Sequence, residues 1–167
     1  MNEISIYTVD AFTSSPFTGN PAAVCLLEDD ISDNLKQKIA AEMNISETAF
    51  VTKAKGSDFT SDSNFSLRWF TPSTEVPLCG HATLAAATVL YRVAGNTNQL
   101  ISFSTKSGIL TAEKDGGMIV LDLPSNPPEE VSVEEYRDLI HLVAGDLPVK
   151  QCYLSKHTKK LLVRVEV

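Results

Sequence analysis

The chain has 167 residues, 43% of them hydrophobic and 21% charged, with a formal net charge of −7. That composition specifies a folded globular protein, and the length allows one ordinary domain or two small units. The acidic balance, with no basic run longer than Lys159-Lys160, excludes a phosphate-tracking surface for nucleic acid, and no apolar run approaches the ~18 residues of a membrane span.

The opening residues MNEISIYTVDAF have no basic stretch leading into an apolar run, so no secretory signal is expected and the expected address is cytoplasmic. Within them, ISIYTVDAF alternates as a first strand. The turn chemistry of SPFTGNP then delivers the chain into the apolar AAVCLL, a second strand, and both strands are expected to be buried. Ser32 is a plausible N-cap for an amphipathic surface helix reaching about Met43, with Leu35, Ile39 and Met43 as its apolar stripe and Asp33, Lys36 and Lys38 elsewhere. SETAFVTKA and NFSLRWFTP read as strands joined by the polar loop KGSDFTSDSN, with Phe65, Leu67 and Trp69 on one face of the second.

HATLAAATVLYRV is helical by its Ala and Leu content, and His81 to Leu90 contain no Asp, Glu, Lys or Arg. Such a helix has no face to show to water, so the rest of the domain must wrap it. QLISFST, GILTAEK and MIVLDLP follow as strands, joined by turns at Ser107-Gly108 and Asp115-Gly116-Gly117. PSNPPEE is the clearest linker. After it come a helical segment from about Ser132 to Ala144 and strands near QCYLS and LLVRVEV. The expected architecture is α+β, a curled, mostly antiparallel sheet around a central apolar helix.

Candidate chemistry gathers around EVPLCGHATL. A buried helix start leaves about four N–H groups unpaired at the positive end of the dipole, and Gly80 would let an anion approach the backbone. A carboxylate ligand meets both demands; a cap from Thr74, Thr83 or water is the structural alternative. His81 there is a hydrogen-bond partner, a proton shuttle or a packing residue, and the positive helix end favours the neutral imidazole. Cys79, just outside the helix, stands where a thiol pKa is expected to be depressed, unless it is an inert buried cysteine. Glu47, in NISETAFV, is either an exposed edge residue or a desolvated general acid or base. Asn20, in TGNPAAV, is a turn former or a substrate contact. Cys25, Cys79 and Cys152 are far apart, with no CxxC or nearby His pair, so neither disulfides nor a metal site is expected.

Taken together, VDAFTSSPFTGNPAAVCLL, IAAEMNISETAFV and LRWFTPSTEVPLCGHATLAAATVL closely resemble the phenazine biosynthesis-like (PhzF) family in its vertebrate-type branch, and the similarity continues more loosely through GMIVLDLP to the end. The resemblance implies a diaminopimelate epimerase-like fold of two similar lobes with the active site between them. It assigns residues 1–124 to the first lobe, 125–128 to a linker and 129–167 to an incomplete start of the second. By the same resemblance Glu47 is the acid/base of a cofactor-independent isomerase, and Ser46, Gly80, His81 and Asn20 contact a small carboxylated substrate. CGH also resembles the proline racemase relatives, where a thiol at the place of Cys79 acts as a base; Cys25 and Cys152 show no matching motif for the second thiol. Family members are longer and carry a DPVTGSAH-like segment that is absent here. Three alternatives follow: a fragment of a longer enzyme, a short isoform acting as a binding protein, or a chain that pairs to complete its cleft. The partner is then a second copy in a homodimer, or another protein docked on the C-terminal strands. A first lobe alone is expected to catalyse poorly, because the opposing groups that orient the substrate are missing.

Overall fold

The computed structural model describes residues 3–166, and the chain divides at Pro124–Ser125 into two compact units. The first contains β1 (Ser5–Ala11), β2 (Asn20–Leu27), β3 (Glu47–Lys53), β4 (Asn64–Phe70), β5 (Glu75–Val76), β6 (Leu100–Thr105), β7 (Gly108–Asp115) and β8 (Met118–Asp122). They form one sheet in the order β1-β2-β3-β4-β6-β7-β8, with β5 paired to β4. Adjacent strands are antiparallel except β2 with β3 and β4 with β6. A parallel pair needs a crossover to carry the chain back, and two helices provide it: α1 (Asp33–Met43) between β2 and β3, and α2 (Gly80–Thr88) between β4 and β6.

Alternation along the central strands puts these helices on opposite faces. Ala22, Val24, Ala49, Val51, Phe65, Leu67 and Trp69 join Ala82, Ala85 and Ala86 of α2 in the main core. Cys25, Leu27, Phe50 and Phe70 turn the other way and meet Ala40 of α1. This explains why β2 reads as an unbroken apolar run: it is covered on both faces. Both end strands of the sheet, β1 and β8, contact α2, so the sheet curls around that helix. The alanines let the strands close upon it. Gly19, at the end of the β1–β2 loop, is held to glycine by crowding, since a Cβ would sit 2.4 Å from the Ala11 carbonyl oxygen.

Three expectations change in the first unit, and one short strand is new. β1 is an edge strand with Ser5, Ile6 and Thr8 exposed, because it has a neighbour on one side only. β5 had no readable signal in its two residues. The central helix starts at Gly80 and leaves α geometry after Thr88 for a π-helical turn, Val89–Val93, in which Ala94 N–H reaches the Val89 carbonyl at 2.9 Å. That widening accompanies the anchoring of Tyr91, whose hydroxyl donates to the Ala112 carbonyl at 2.8 Å. Finally, α1 has its expected cap, Ser32 Oγ accepting from Leu35 N–H at 3.3 Å, and of its expected stripe Ile39 packs beside Ala40 but Leu35 does not. Leu35 is 42% exposed, while Lys36 and Ala40 are fully buried.

Lys36 turns inward because its ammonium pairs with Asp30 at 2.6 Å and its stem fills the space beneath the helix. Desolvating an ammonium offsets much of the ion pair's attraction. Lys36→Met is therefore expected to leave stability unchanged or raise it by about 1–4 kcal/mol, whereas removing only the acid, Asp30→Ala, destabilises; urea denaturation of the two variants checks the pair.

The second unit is a three-stranded antiparallel sheet ordered β11-β10-β9, from β9 (Glu129–Val131), β10 (Val149–Ser155) and β11 (Lys160–Val165), with a 3-10 turn at Glu134–Tyr136 and α3 (Arg137–Ala144). Two readings shift here. Glu129 and Glu130 leave the expected PSNPPEE linker because both pair with β10, and the expected helical segment opens as the 3-10 turn, so that α-helix begins five residues after Ser132. Among the described residues no helix is long and apolar enough to cross a membrane.

Candidate active site at the start of helix α2

Glu47 is the first residue of β3, following the left-handed cap Asn44 that ends α1. The parallel pairing of β2 with β3 sets Ala22 opposite Glu47, so the GNP turn and the SET segment lie side by side. Ser46 Oγ reaches the Pro21 carbonyl at 3.2 Å across that junction. α2 begins against the same strand ends and brings His81 with it. His81 Nε2 lies 3.2 Å from Ser46 Oγ and 3.3 Å from Glu47 Oε2, and its Nδ1 lies 3.3 Å from Cys79 Sγ. Four candidates from two segments far apart in sequence thus form one cluster of polar atoms.

Glu47 and His81 are mostly buried, their side chains 18% and 11% exposed. Glu47 Oε2 is itself shielded from water and has no aligned hydrogen bond among the described residues, although His81 stands within ion-pair distance. A shielded carboxylate oxygen without a donor is costly, and such groups are retained where a ligand or a reaction uses them. Asn20 is not part of the cluster. It is exposed, opposite Ala11 in the β1–β2 ladder, and makes no side-chain hydrogen bond among the described residues. The neighbouring Pro21 carbonyl is the contact that sequence reasoning missed, since a backbone oxygen leaves no mark in residue type.

The helix start is bare. Cys79 is the N-cap residue, extended at φ −148° and ψ 111°, and gives no cap hydrogen bond from its side chain. Neither expected threonine cap is made. Thr83 lies a turn inside the helix and donates back to the Cys79 carbonyl at 2.6 Å, and Thr74 is held in the preceding turn. Gly80 is not forced by positive φ, and a Cβ there would lie 3.4 Å from Leu123 Cδ1, an ordinary contact. Its effect is to leave the backbone uncovered.

The thiol of Cys79 follows the second of its two readings, the inert buried cysteine. Burial pushes its pKa up to about 11, and the neighbouring Glu47 charge adds to this, outweighing the opposite pull of the Ala82 and His81 amides. It is a neutral thiol near pH 7. Cys25, on the other face, is raised by burial to about 12, and all three cysteines are free. Oxygen, sulfur and nitrogen atoms of Glu47, Cys79 and His81 lie within 4.8 Å of one another. Both ring nitrogens are already engaged, so a metal held there would have to break one of those contacts. The larger cavities lie elsewhere, about 660 Å³ between the β1–β2 loop and β8 and about 600 Å³ beside the start of α1.

Arg68 fixes the route into the site. Its guanidinium donates to Glu75 at 2.8 Å and to Asp33 at 2.5 and 2.9 Å, tying β5 and α1 to β4 just ahead of the Cys79 turn. The Arg68 hydrogen bonds hold the Glu75 carboxyl below its ordinary 4.5, against the opposing effect of burial. A depressed folded-state pKa gives stability that is complete above the unfolded value and lost as pH falls through the folded one. Urea midpoints measured from pH 7 downward should therefore drop below about 4.5, and Glu75→Gln should be less stable at pH 7 with a shallower acid fall.

With this geometry in place, the comparisons decide the family. Residues 9–166 match the family described as phenazine biosynthesis-like protein. The chain belongs to that family. It is 52% identical over 164 residues to the phenazine biosynthesis-like domain-containing protein of Bos taurus, covering 98% of this chain and 57% of that one. It is 52% identical over 162 residues to an uncharacterized isomerase of Halalkalibacterium halodurans, covering 96% and 57%. The crystal structure of a PhzF family phenazine biosynthesis protein from Enterococcus faecalis superposes with a TM-score of 0.79 at 37% identity, covering 96% of this chain and 56% of that one. The chain spans 57% of the length of these curated relatives. Its curled sheet and few helices are the α+β, diaminopimelate epimerase-like architecture of PhzF proteins.

Proposed function

We propose that this protein works as a cofactor-independent isomerase of the PhzF type, moving a proton on a small carboxylated substrate with Glu47 as the acid/base. The observation that carries the reading is the shielded Glu47 Oε2, left without a hydrogen bond beside His81 at the bare start of α2. The free amides at Gly80 and His81 offer a place for the substrate carboxylate, with the dipole favouring negative charge. Glu47 then takes a proton from one carbon and returns it to another, while Ser46 and His81 orient the substrate by hydrogen bonds. Cys79 is the weaker candidate for base, since its raised pKa leaves almost no thiolate near neutral pH. The test is solvent deuterium incorporation into a panel of small unsaturated carboxylic acids, read by mass spectrometry on the protein at its native length. Deuterium entering one acid without added metal or cofactor supports the reading, and a panel left entirely unlabelled counts against it.

A further inference from the structure

The direction of every hydrogen bond in the His81 chain can be worked out from what each atom has to give. Ser46 has one hydroxyl proton and two neighbours, the Pro21 carbonyl and His81 Nε2. The carbonyl can only accept. If Ser46 donates to Pro21, it accepts from His81, and Nε2 must carry the ring proton. Glu47 Oε2 points to the same conclusion, because an oxygen 3.3 Å from Nε2 is attracted by a proton on that nitrogen and repelled by a lone pair. The proton is then on Nε2, and Nδ1 is an acceptor.

The atom facing Nδ1 is Cys79 Sγ, at 3.3 Å. This sulfur takes part in no helix-cap hydrogen bond, and His81 Nδ1 is its one aligned partner among the described residues, so its proton is free to be given there. Burial keeps that proton in place near neutral pH. We infer that Cys79 is a positioning residue: its S–H donates to His81 Nδ1, engages that nitrogen as an acceptor and so commits the ring's single proton to Nε2, facing Ser46 and Glu47. The chain runs in one direction, from Cys79 through His81 and Ser46 to the Pro21 carbonyl. His81 presents a donor toward the site and holds its plane between two fixed contacts. The benefit to substrate orientation rests on the proposed role of Glu47; the direction of the chain does not.

Two-bond nitrogen–proton NMR reads the tautomer of neutral histidine directly. The chain has three histidines, and His81 is assigned by the signals lost in His81→Asn. In the wild type, Nε2 should resonate as a protonated nitrogen and Nδ1 as an unprotonated one moved upfield by a hydrogen bond. Cys79→Ala, and Cys79→Val whose branched side chain suits the extended backbone at this position, should both move Nδ1 downfield toward a free acceptor. Cys79→Ser keeps a proton donor and should restore the wild-type position. A proton on Nδ1 in the wild type, or an Nδ1 signal unmoved in both Ala and Val variants, overturns the inference. If one variant does not fold, the other and the wild-type spectrum still decide. Turnover plays no part in the spectra, so a protein that labels no carboxylic acid in deuterium leaves this result standing or falling by itself.

Discussion

Glu47→Gln is expected to lower the rate of proton transfer by about 10²–10⁴-fold, the usual contribution of a positioned acid/base, while the fold stays intact. Glutamine has the shape of glutamate, and Glu47 Oε2 gives up no aligned hydrogen bond when it is replaced. What disappears is the capacity to take and return a proton. The measurement pairs the deuterium-incorporation rate of the variant with its urea midpoint at the same pH. A normal midpoint with the rate lost is the expected result. A rate within a few-fold of wild type moves the acid/base elsewhere, and His81, 3.3 Å from Glu47, is then the nearest remaining group.

The largest expected loss of stability is at Trp69. It is 1% exposed, stands opposite Ala49 on β3 and Val76 on β5, and belongs to the cluster that closes on α2. Trp69→Ala should cost about 3–5 kcal/mol through lost burial and the cavity left behind. Its indole nitrogen has no hydrogen-bond partner among the described residues, so Trp69→Phe should cost clearly less. Trp69 is the only tryptophan, so circular dichroism rather than fluorescence must follow unfolding in both variants. Equal losses would mean that a phenyl ring recovers none of the packing that the indole makes at this position.

Much of this was legible in the chain itself, for identifiable reasons. β1 and β4 announced themselves by alternation, and Phe65, Leu67 and Trp69 are on one buried face as their spacing requires. The charge-free run after His81 needed a full wrapping of protein, and both ends of the sheet meet it. Ser32 caps α1 as its residue type suggests. The misses have a common cause, since they depend on partners distant in sequence. Leu35 looked like the buried stripe because a lysine is ordinarily excluded from a core; the Asp30 carboxylate reverses that at Lys36. For Cys79 the sequence left two readings open, a thiol activated by the helix start or an inert buried one, and burial is the larger effect.

The candidate site divides in the same way. Sequence by itself determined which side chains are the candidates for chemistry, a carboxylate, a serine, an imidazole and a thiol, and the PhzF resemblance pointed to the family. Their mutual distances were decided only by tertiary structure. The parallel β2–β3 pairing joins Pro21 to Ser46, and the packing of α2 in the curled sheet brings His81 to within 3.3 Å of Glu47. Local pattern fixes what a residue can donate, accept or bury, because that is a property of the side chain. Which donor meets which acceptor, and how much water is left between them, depends on contacts between segments far apart along the chain.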